Sequence, residues 1–197
     1  MKKVIITIGR EFGSGGREIG IKLSEKLGIP FYDKELIVRT AEKSNLEQSI
    51  IERYDEQHAF PAFSSSNIFD IYQMPMSDRV YIAQADVIRD IASKGSCIIV
   101  GRCANFILAD DPNCFSVFIQ APMKDKVNRK RPLLEGKTDS EIESHIRRID
   151  KKRAKYFTYY TDLIWGGAAN YDLCINSSLL GIDKTVDLII DAVNLRG

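Results

Sequence analysis

The chain has 197 residues, 44% of them hydrophobic, and a formal net charge of +1. That length suits one domain with a sizeable core, and a charge so close to zero argues against a nucleic-acid or membrane-surface partner. No apolar run approaches the ~20 residues that span a bilayer, and Thr7, Gly9, Arg10 and Glu11 interrupt the short apolar stretch behind Lys2-Lys3, which reads against a signal peptide.

Val4 to Ile8 is a β-branched run that predicts a first strand. It enters a glycine-rich turn, Gly13-Ser14-Gly15-Gly16, and a helix follows over 17–27 with Ile19, Leu23 and Leu27 spaced four apart. A strand, a glycine loop and a helix N-terminus in this order suit an anion, because backbone N–H groups turn inward and the helix end adds partial positive charge. Set against the pattern G-x-x-x-x-G-K-[ST] with its last glycine on Gly16, the chain has Glu11 for the first glycine, Arg17 for the lysine and Glu18 for the Ser/Thr. Arg17 still offers phosphate a planar fork of donors. Two other readings compete. A ligand-free turn is disfavoured because four glycines in eight residues weaken both strand and helix. A dinucleotide fold would use Asp33 as its ribose ligand, but Glu18 stands at its third glycine and four residues separate Ile8 from Gly13.

Further strands are predicted at 30–32, 97–100, 115–120 and 172–176, with helices at 34–43, 78–94, 122–130, 139–158 and 183–194. This alternation predicts a parallel sheet covered on both faces, with ligands at the carboxyl ends of its strands. At the second strand end, Asp33 is both a helix N-cap and a ligand candidate, while Arg39 reads alone as a solvated helix face. Residues 44–77 carry little periodicity, and Ser64-Ser65-Ser66-Asn67 and Pro75 are loop chemistry, so this segment reads as an insertion covering the site or contacting a partner. Gly101-Arg102 ends the strand at 97–100, where a guanidinium can grip a phosphate with two bonds. Thr138-x-x-Glu141 is a capping box that opens the longest helix, and Ile142, Ile146 and Ile149 are its buried stripe. Arg148, Lys151, Lys152 and Lys155 form a basic stripe on that helix, with Arg147, Asp150 and Arg153 between the two faces. Together with Arg129, Lys130 and Arg131 these cations suggest a phosphate clamp in a lid over about 129–153. The aromatics Tyr156, Phe157, Tyr159, Tyr160 and Trp165 read as packing, and 156–165 and 44–77 are the two stretches open to a homo-oligomer contact. Cys97, Cys103, Cys114 and Cys174 form no C-x-x-C pair and lie far from His58 and His145, so no metal ligands are identified and the expected compartment is the reducing cytoplasm.

Several blocks then resemble one family. Ile-Thr-Ile-Gly-Arg-Glu-Phe-Gly-Ser-Gly-Gly-Arg-Glu-Ile (6–19), Phe-Tyr-Asp-Lys-Glu-Leu-Ile (31–37), Ile-Val-Gly-Arg-Cys-Ala-Asn-Phe-Ile-Leu (99–108) and Asn-Tyr-Asp-Leu-Cys-Ile-Asn-Ser (170–177) are similar to those of the cytidylate kinase-like family, within the P-loop nucleoside monophosphate kinases. The resemblance implies a P-loop kinase fold: a five-stranded parallel sheet with helices on both faces and a short lid. It also implies transfer of the γ-phosphate of ATP, with Mg2+, to a (d)CMP-like nucleotide. In cytidylate kinases an Asp with an Arg six residues on contacts the monophosphate, and Asp33 and Arg39 keep that spacing. Their Gly-Arg-Asp corresponds to Gly101-Arg102 with Cys103 in place of Asp, and their Asp-x-x-Arg after the lid corresponds to Asp150 and Arg153. Lid arginines surround the phosphates, with Arg129, Arg131 and Arg147 as candidates, and Asn176-Ser177-Ser178 falls near the donor adenine. The implied roles are ATP binding by Gly13, Ser14, Gly15, Gly16, Arg17 and Glu18, acceptor binding by Asp33, Arg39 and Arg102, and transfer by Arg17, Arg131, Arg147, Asp150 and Arg153. Two alternatives stay open: a kinase for another small phosphate acceptor, and a nucleotide-binding regulatory protein without catalysis.

Overall fold

The computed structural model describes residues 3–33, 36, 39, 40, 42, 47–54 and 74–196. Its strands are β1 (Ile5–Arg10), β2 (Phe31–Tyr32), β3 (Cys97–Val100), β4 (Cys114–Gln120) and β5 (Leu173–Asn176). They form one five-stranded sheet in the order β2-β3-β1-β4-β5, and every pairing is parallel. The helices are α1 (Gly16–Leu27), α2 (Gln48–Tyr54), α3 (Met76–Lys94), α4 (Ala104–Ile107), α5 (Met123–Lys130), α6 (Asp139–Thr161), α7 (Ser177–Leu180) and α8 (Ile182–Leu195).

Successive strand side chains point to opposite faces, and here both faces are covered. Ile6, Ile8, Ile98, Val100, Val117 and Ile119 pack in one layer with Ile19 and Leu23 of α1 and Val186 and Ile189 of α8. Ile5, Cys97, Ile99 and Cys114 pack in the other with Val87, Ile88, Ile91 and Ala92 of α3 and Ala104 of α4. Burial on both faces is why the strands read as largely apolar runs, broken inside β1 and β4 by Thr7 and Ser116, rather than as alternating ones. All five carboxyl ends therefore open on one edge of the sheet, and the glycine loop leaves from the central strand β1.

The expected five-stranded parallel sheet is the one observed. The helix predicted at 34–43 falls largely outside the described residues, as does the stretch 55–73 of the 44–77 segment. Within that segment α2 was not anticipated: its one buried residue, Ile51, packs on Val80 of α3, and a single anchor leaves no periodic stripe to read. The four-residue helices α4 and α7 are too short to show a period. α6 runs past 158 to Thr161, because Tyr156 and Phe157 extend its buried face into the aromatic cluster.

The capping box of α6 is formed: Glu141 N–H donates to Thr138 Oγ1 at 3.3 Å and Thr138 N–H donates to Glu141 Oε2 at 2.8 Å. Thr138→Ala should therefore cost about 1 kcal/mol, read as a lower urea midpoint with an unchanged denaturant slope. No helix among the described residues is long and apolar enough to cross a membrane.

Candidate active site

β1 delivers the chain into the glycine loop at Arg10. Glu11 N–H still pairs with Ile119 O of β4 at 3.0 Å, after which the chain turns away. Gly15 is the N-cap of α1, with φ of 84°, and no side chain caps the helix. A left-handed residue here brings the loop over the helix axis without the Cβ penalty of other residues. Gly16 is then the first helical residue, Arg17 the second and Glu18 the third. An uncapped helix end behind a glycine loop makes a cradle that can receive an anion. Its far wall is tied down from β5 and α7: Ser177 Oγ donates to Ser14 O at 2.5 Å, and the Arg129 guanidinium donates to Gly13 O, Ser177 Oγ and Ser178 Oγ.

Beside the cradle, one carboxylate gathers three guanidiniums. Asp33, at the end of β2, accepts from Arg17 Nε at 2.8 Å and from Arg102 Nη1 at 2.8 Å, with Arg10 Nη2 at 3.9 Å. Arg102 also donates to Val100 O at 3.0 Å. Arg102 and Cys103 have φ of 52° and 56°, a left-handed pair without glycine. Such strain costs on the order of 1–3 kcal/mol per residue and concentrates at functional sites; here it folds the arginine back against its own strand end. Burial pushes the Asp33 carboxyl upward, but Arg102, Arg10 and Arg17 outweigh it, and its pKa lies below the ordinary carboxylate value of 3.8. A folded-state pKa below the unfolded one adds stability above the unfolded value, and that stability is lost as pH falls through the folded value. An acid titration of unfolding should therefore show stability lost below about pH 4, with the loss absent in Asp33→Asn.

These groups border a pocket at the carboxyl ends of β1 and β3. Thr7, Ile8, Gly9, Arg10, Gly101, Arg102, Cys103, Asn105, Arg153, Tyr156, Phe157, Trp165 and Tyr171 line it. Three of these are arginines, four are aromatic, and no carboxylate or histidine is among them. α6 closes one side. Arg153 Nη1 donates to Arg10 O at 3.3 Å, and Asp150 Oδ1 accepts from Phe12 N–H at 2.7 Å. The buried Lys126 ammonium lies between Glu11 Oε2 and Asp150 Oδ2, 3.1 Å from each. Burial raises the Asp150 pKa in spite of Phe12 and Lys126, with Glu11 adding to the rise.

Of the residues singled out in the sequence, Arg17, Asp33, Arg102 and Arg153 converge around the cradle and pocket, and Asp150 holds the loop backbone. Arg39 lies over the Tyr32 ring, 5.0 Å from its centroid, and does not line the pocket. Arg131 pairs with Asp139 and Arg147 with Glu143, both pairs exposed and local to the lid. Glu18 points to Lys22, at 3.9 Å. Sequence reading passed over Arg10, Glu11 and Lys126. Arg10 and Glu11 stand out in the sequence only as charges that interrupt an apolar stretch, with Glu11 also in place of the motif's first glycine, and Lys126 lies in a cation-rich helix with nothing local to single it out. The aromatics read as packing do pack, but Tyr156, Phe157 and Trp165 also wall the pocket.

The sequence matches the model of the cytidylate kinase-like family over residues 5–179. No curated protein matches it. Among solved structures, an uncharacterized protein from Eubacterium ventriosum ATCC 27560 is 31% identical, with a TM-score of 0.74 over 98% of this chain and 99% of that one. Shikimate kinase from Bacteroides thetaiotaomicron is 17% identical, with a TM-score of 0.58 over 97% and 98% of the two chains. The tunicamycin resistance protein of Deinococcus radiodurans is 18% identical, with a TM-score of 0.52 over 98% and 96%. The chain belongs to the cytidylate kinase-like family, and its fold is that of the P-loop kinases of nucleoside monophosphate and shikimate kinase type.

Proposed function

We propose that this family member is an ATP-dependent phosphotransferase that moves the γ-phosphoryl group to a (d)CMP-like monophosphate. The observation that carries the reading is the pocket lining: three guanidiniums, four aromatic rings and no carboxylate, next to an uncapped glycine cradle. Such a lining calls for an anionic acceptor with a flat ring. It also argues for phosphate as the attacking group. A hydroxyl acceptor needs a base, and Asp33 is paired with arginines and acidified, so it is a poor one. A monophosphate oxygen is already ionised. It attacks the γ-phosphorus, the bond from that phosphorus to the β-phosphate bridging oxygen breaks, and ADP leaves with no proton to be removed. Positioning and positive charge then supply the catalysis.

In this reading the Gly13 to Arg17 backbone holds the donor phosphates, Arg102 grips the acceptor phosphate with Asp33 fixing its fork, and Arg153 faces the transferring group. Arg131 and Arg147 would join only by exchanging Asp139 and Glu143 for phosphate as the lid closes, with Arg39 moving in from Tyr32. Asp150 positions the loop. Magnesium would arrive with ATP, since no group of three or more His, Cys, Asp or Glu is gathered among the described residues; bound, it would draw negative charge from the β- and γ-phosphates.

A second reading keeps the reaction and changes the acceptor. Cys103, buried among Tyr156 and Phe157, stands where cytidylate kinases carry a base-reading Asp, so the pocket grips a ring by its faces more than by its edge. The test is diphosphate formation from ATP and magnesium across CMP, dCMP, UMP, AMP and GMP. Turnover favouring CMP or dCMP is expected. Equal turnover with all five would support the second reading, and ATP binding without turnover would leave a nucleotide-binding protein.

A further inference from the structure

The phosphate loop has no lysine, and the fold has closed the place where one would stand. In the pattern G-x-x-x-x-G-K-[ST] the lysine follows the last loop glycine and opens the helix. Gly15 is the N-cap, so that first helical position is Gly16, which corrects the alignment that set the last glycine on Gly16 and Arg17 in the lysine's place by one residue. A Cβ built on Gly16 would meet Arg10 Cβ at 2.6 Å and Arg10 Cγ at 3.2 Å. The space of the missing side chain is filled by the stem of an arginine that arrives from the end of β1.

Arg17 does not make up the loss, because its Nε is on Asp33 and its side chain is 59% exposed. Lys126 is neutralised between Glu11 and Asp150. Arg129 reaches the loop from the side of Ser177 and Ser178, away from the acceptor pocket. Arg10 is buried, its stem packs on the first residue of α1, and it is a lining residue of the pocket with Arg102 and Arg153. Its guanidinium stands 3.9 Å from Asp33, a carboxylate already bonded to two other arginines at 2.8 Å. Arg10 thus spans the donor cradle and the acceptor pocket, where charge builds during transfer.

We propose that Arg10 takes over from β1 the work of the absent loop lysine, binding the β- and γ-phosphates of the donor at the junction with the acceptor. This rests on the kinase reading above. It makes Arg10 and Gly16 a matched pair: a lysine cannot return to position 16 while the Arg10 stem is there, and the stem is useful only while position 16 is bare.

The test is a swap. ATP affinity would be measured calorimetrically for the unsubstituted chain, Arg10→Gly, Gly16→Lys and the double variant, with Arg10→Lys and Arg10→Met as shape-preserving companions, and phosphoryl transfer would be followed in parallel. Loss of a charge-assisted bond to phosphate predicts ATP binding about 10- to 100-fold weaker in Arg10→Gly and Arg10→Met, and a smaller loss in Arg10→Lys. Gly16→Lys alone should also lose binding, through its clash with Arg10. The double variant should return to within about threefold of the unsubstituted chain, a non-additivity that only two groups sharing one task produce. A purely structural Arg10 would leave the double variant no better than Arg10→Gly, and that result overturns the proposal. So does ATP affinity unchanged in Arg10→Met; if the unsubstituted chain still transfers phosphate, the kinase reading survives it. Rescue by the swap without transfer to any acceptor would do the reverse, sinking the kinase reading and leaving Arg10 as a donor-phosphate ligand.

Discussion

Asp33→Asn should destabilise the protein by about 3–5 kcal/mol and abolish measurable phosphoryl transfer. The substitution keeps the size and planarity of the side chain and removes its charge. The Arg102 side chain is 3% exposed and loses the carboxylate 2.8 Å from its Nη1, while Arg10 and Arg17 lose the same partner. Breaking a buried pair from one side is costly because the stranded charge keeps its desolvation penalty. Three guanidiniums without their carboxylate also repel one another, and the strained Arg102-Cys103 turn loses the bond that rewards it. For a chain of this length the expected fall in Tm is about 6–20 °C. On the proposed reading transfer fails for a separate reason: the fork of Arg102 is no longer held toward the acceptor. Calorimetric melting and a saturating-ATP assay check the two halves. A Tm within about 2 °C of the unsubstituted protein would show that Asp33 is not the centre of this network.

The sheet was legible because its strands are buried on both faces. Ile98-Ile99-Val100 and Phe115 to Ile119 are apolar at every position facing a helix layer, and no solvated strand reads that way. Asp33 and Arg102 were legible for a positional reason: Asp33 directly follows β2 and Arg102 follows β3 after one glycine, where this architecture presents ligands. Arg10 follows the same logic at the end of β1, but the apolar run that marks this strand stops at Ile8, so the sequence does not show Arg10 as a strand end. The lid was the least legible part. Counting cations cannot distinguish a phosphate clamp from local pairing, and Arg147 with Glu143 one turn earlier is an ordinary i,i+4 pair, as Arg131 with Asp139 is a loop-to-helix pair. Lys126 shows the opposite failure. Its neighbours Lys124, Arg129 and Lys130 make the segment look solvated, yet it is 4% exposed because Glu11 and Asp150 arrive from two distant elements. Burial produced by tertiary partners leaves no mark in a local pattern.

Arg153→Ala should lower kcat by about 10²–10³-fold while changing stability by less than about 1 kcal/mol, the converse of Asp33→Asn. Arg153 lines the pocket, donates to Arg10 O at 3.3 Å, and has its guanidinium 5.9 Å from the centroid of the Phe12 ring. It is half-buried, so water can replace the lost bond at the Arg10 carbonyl. The attachment of α6 to the loop also persists without it, through Asp150 to Phe12 N–H at 2.7 Å and the Lys126 bridge. On the proposed reading, what disappears is positive charge facing the transferring phosphoryl group, where charge spreads over three equatorial oxygens. KM for ATP should move little, because the cradle backbone is untouched, and Arg153→Lys should recover part of the loss as a point charge without the fork. A kcat within about threefold of the unsubstituted enzyme would remove Arg153 from the reaction. A Tm drop as large as that of Asp33→Asn would assign it to the framework instead.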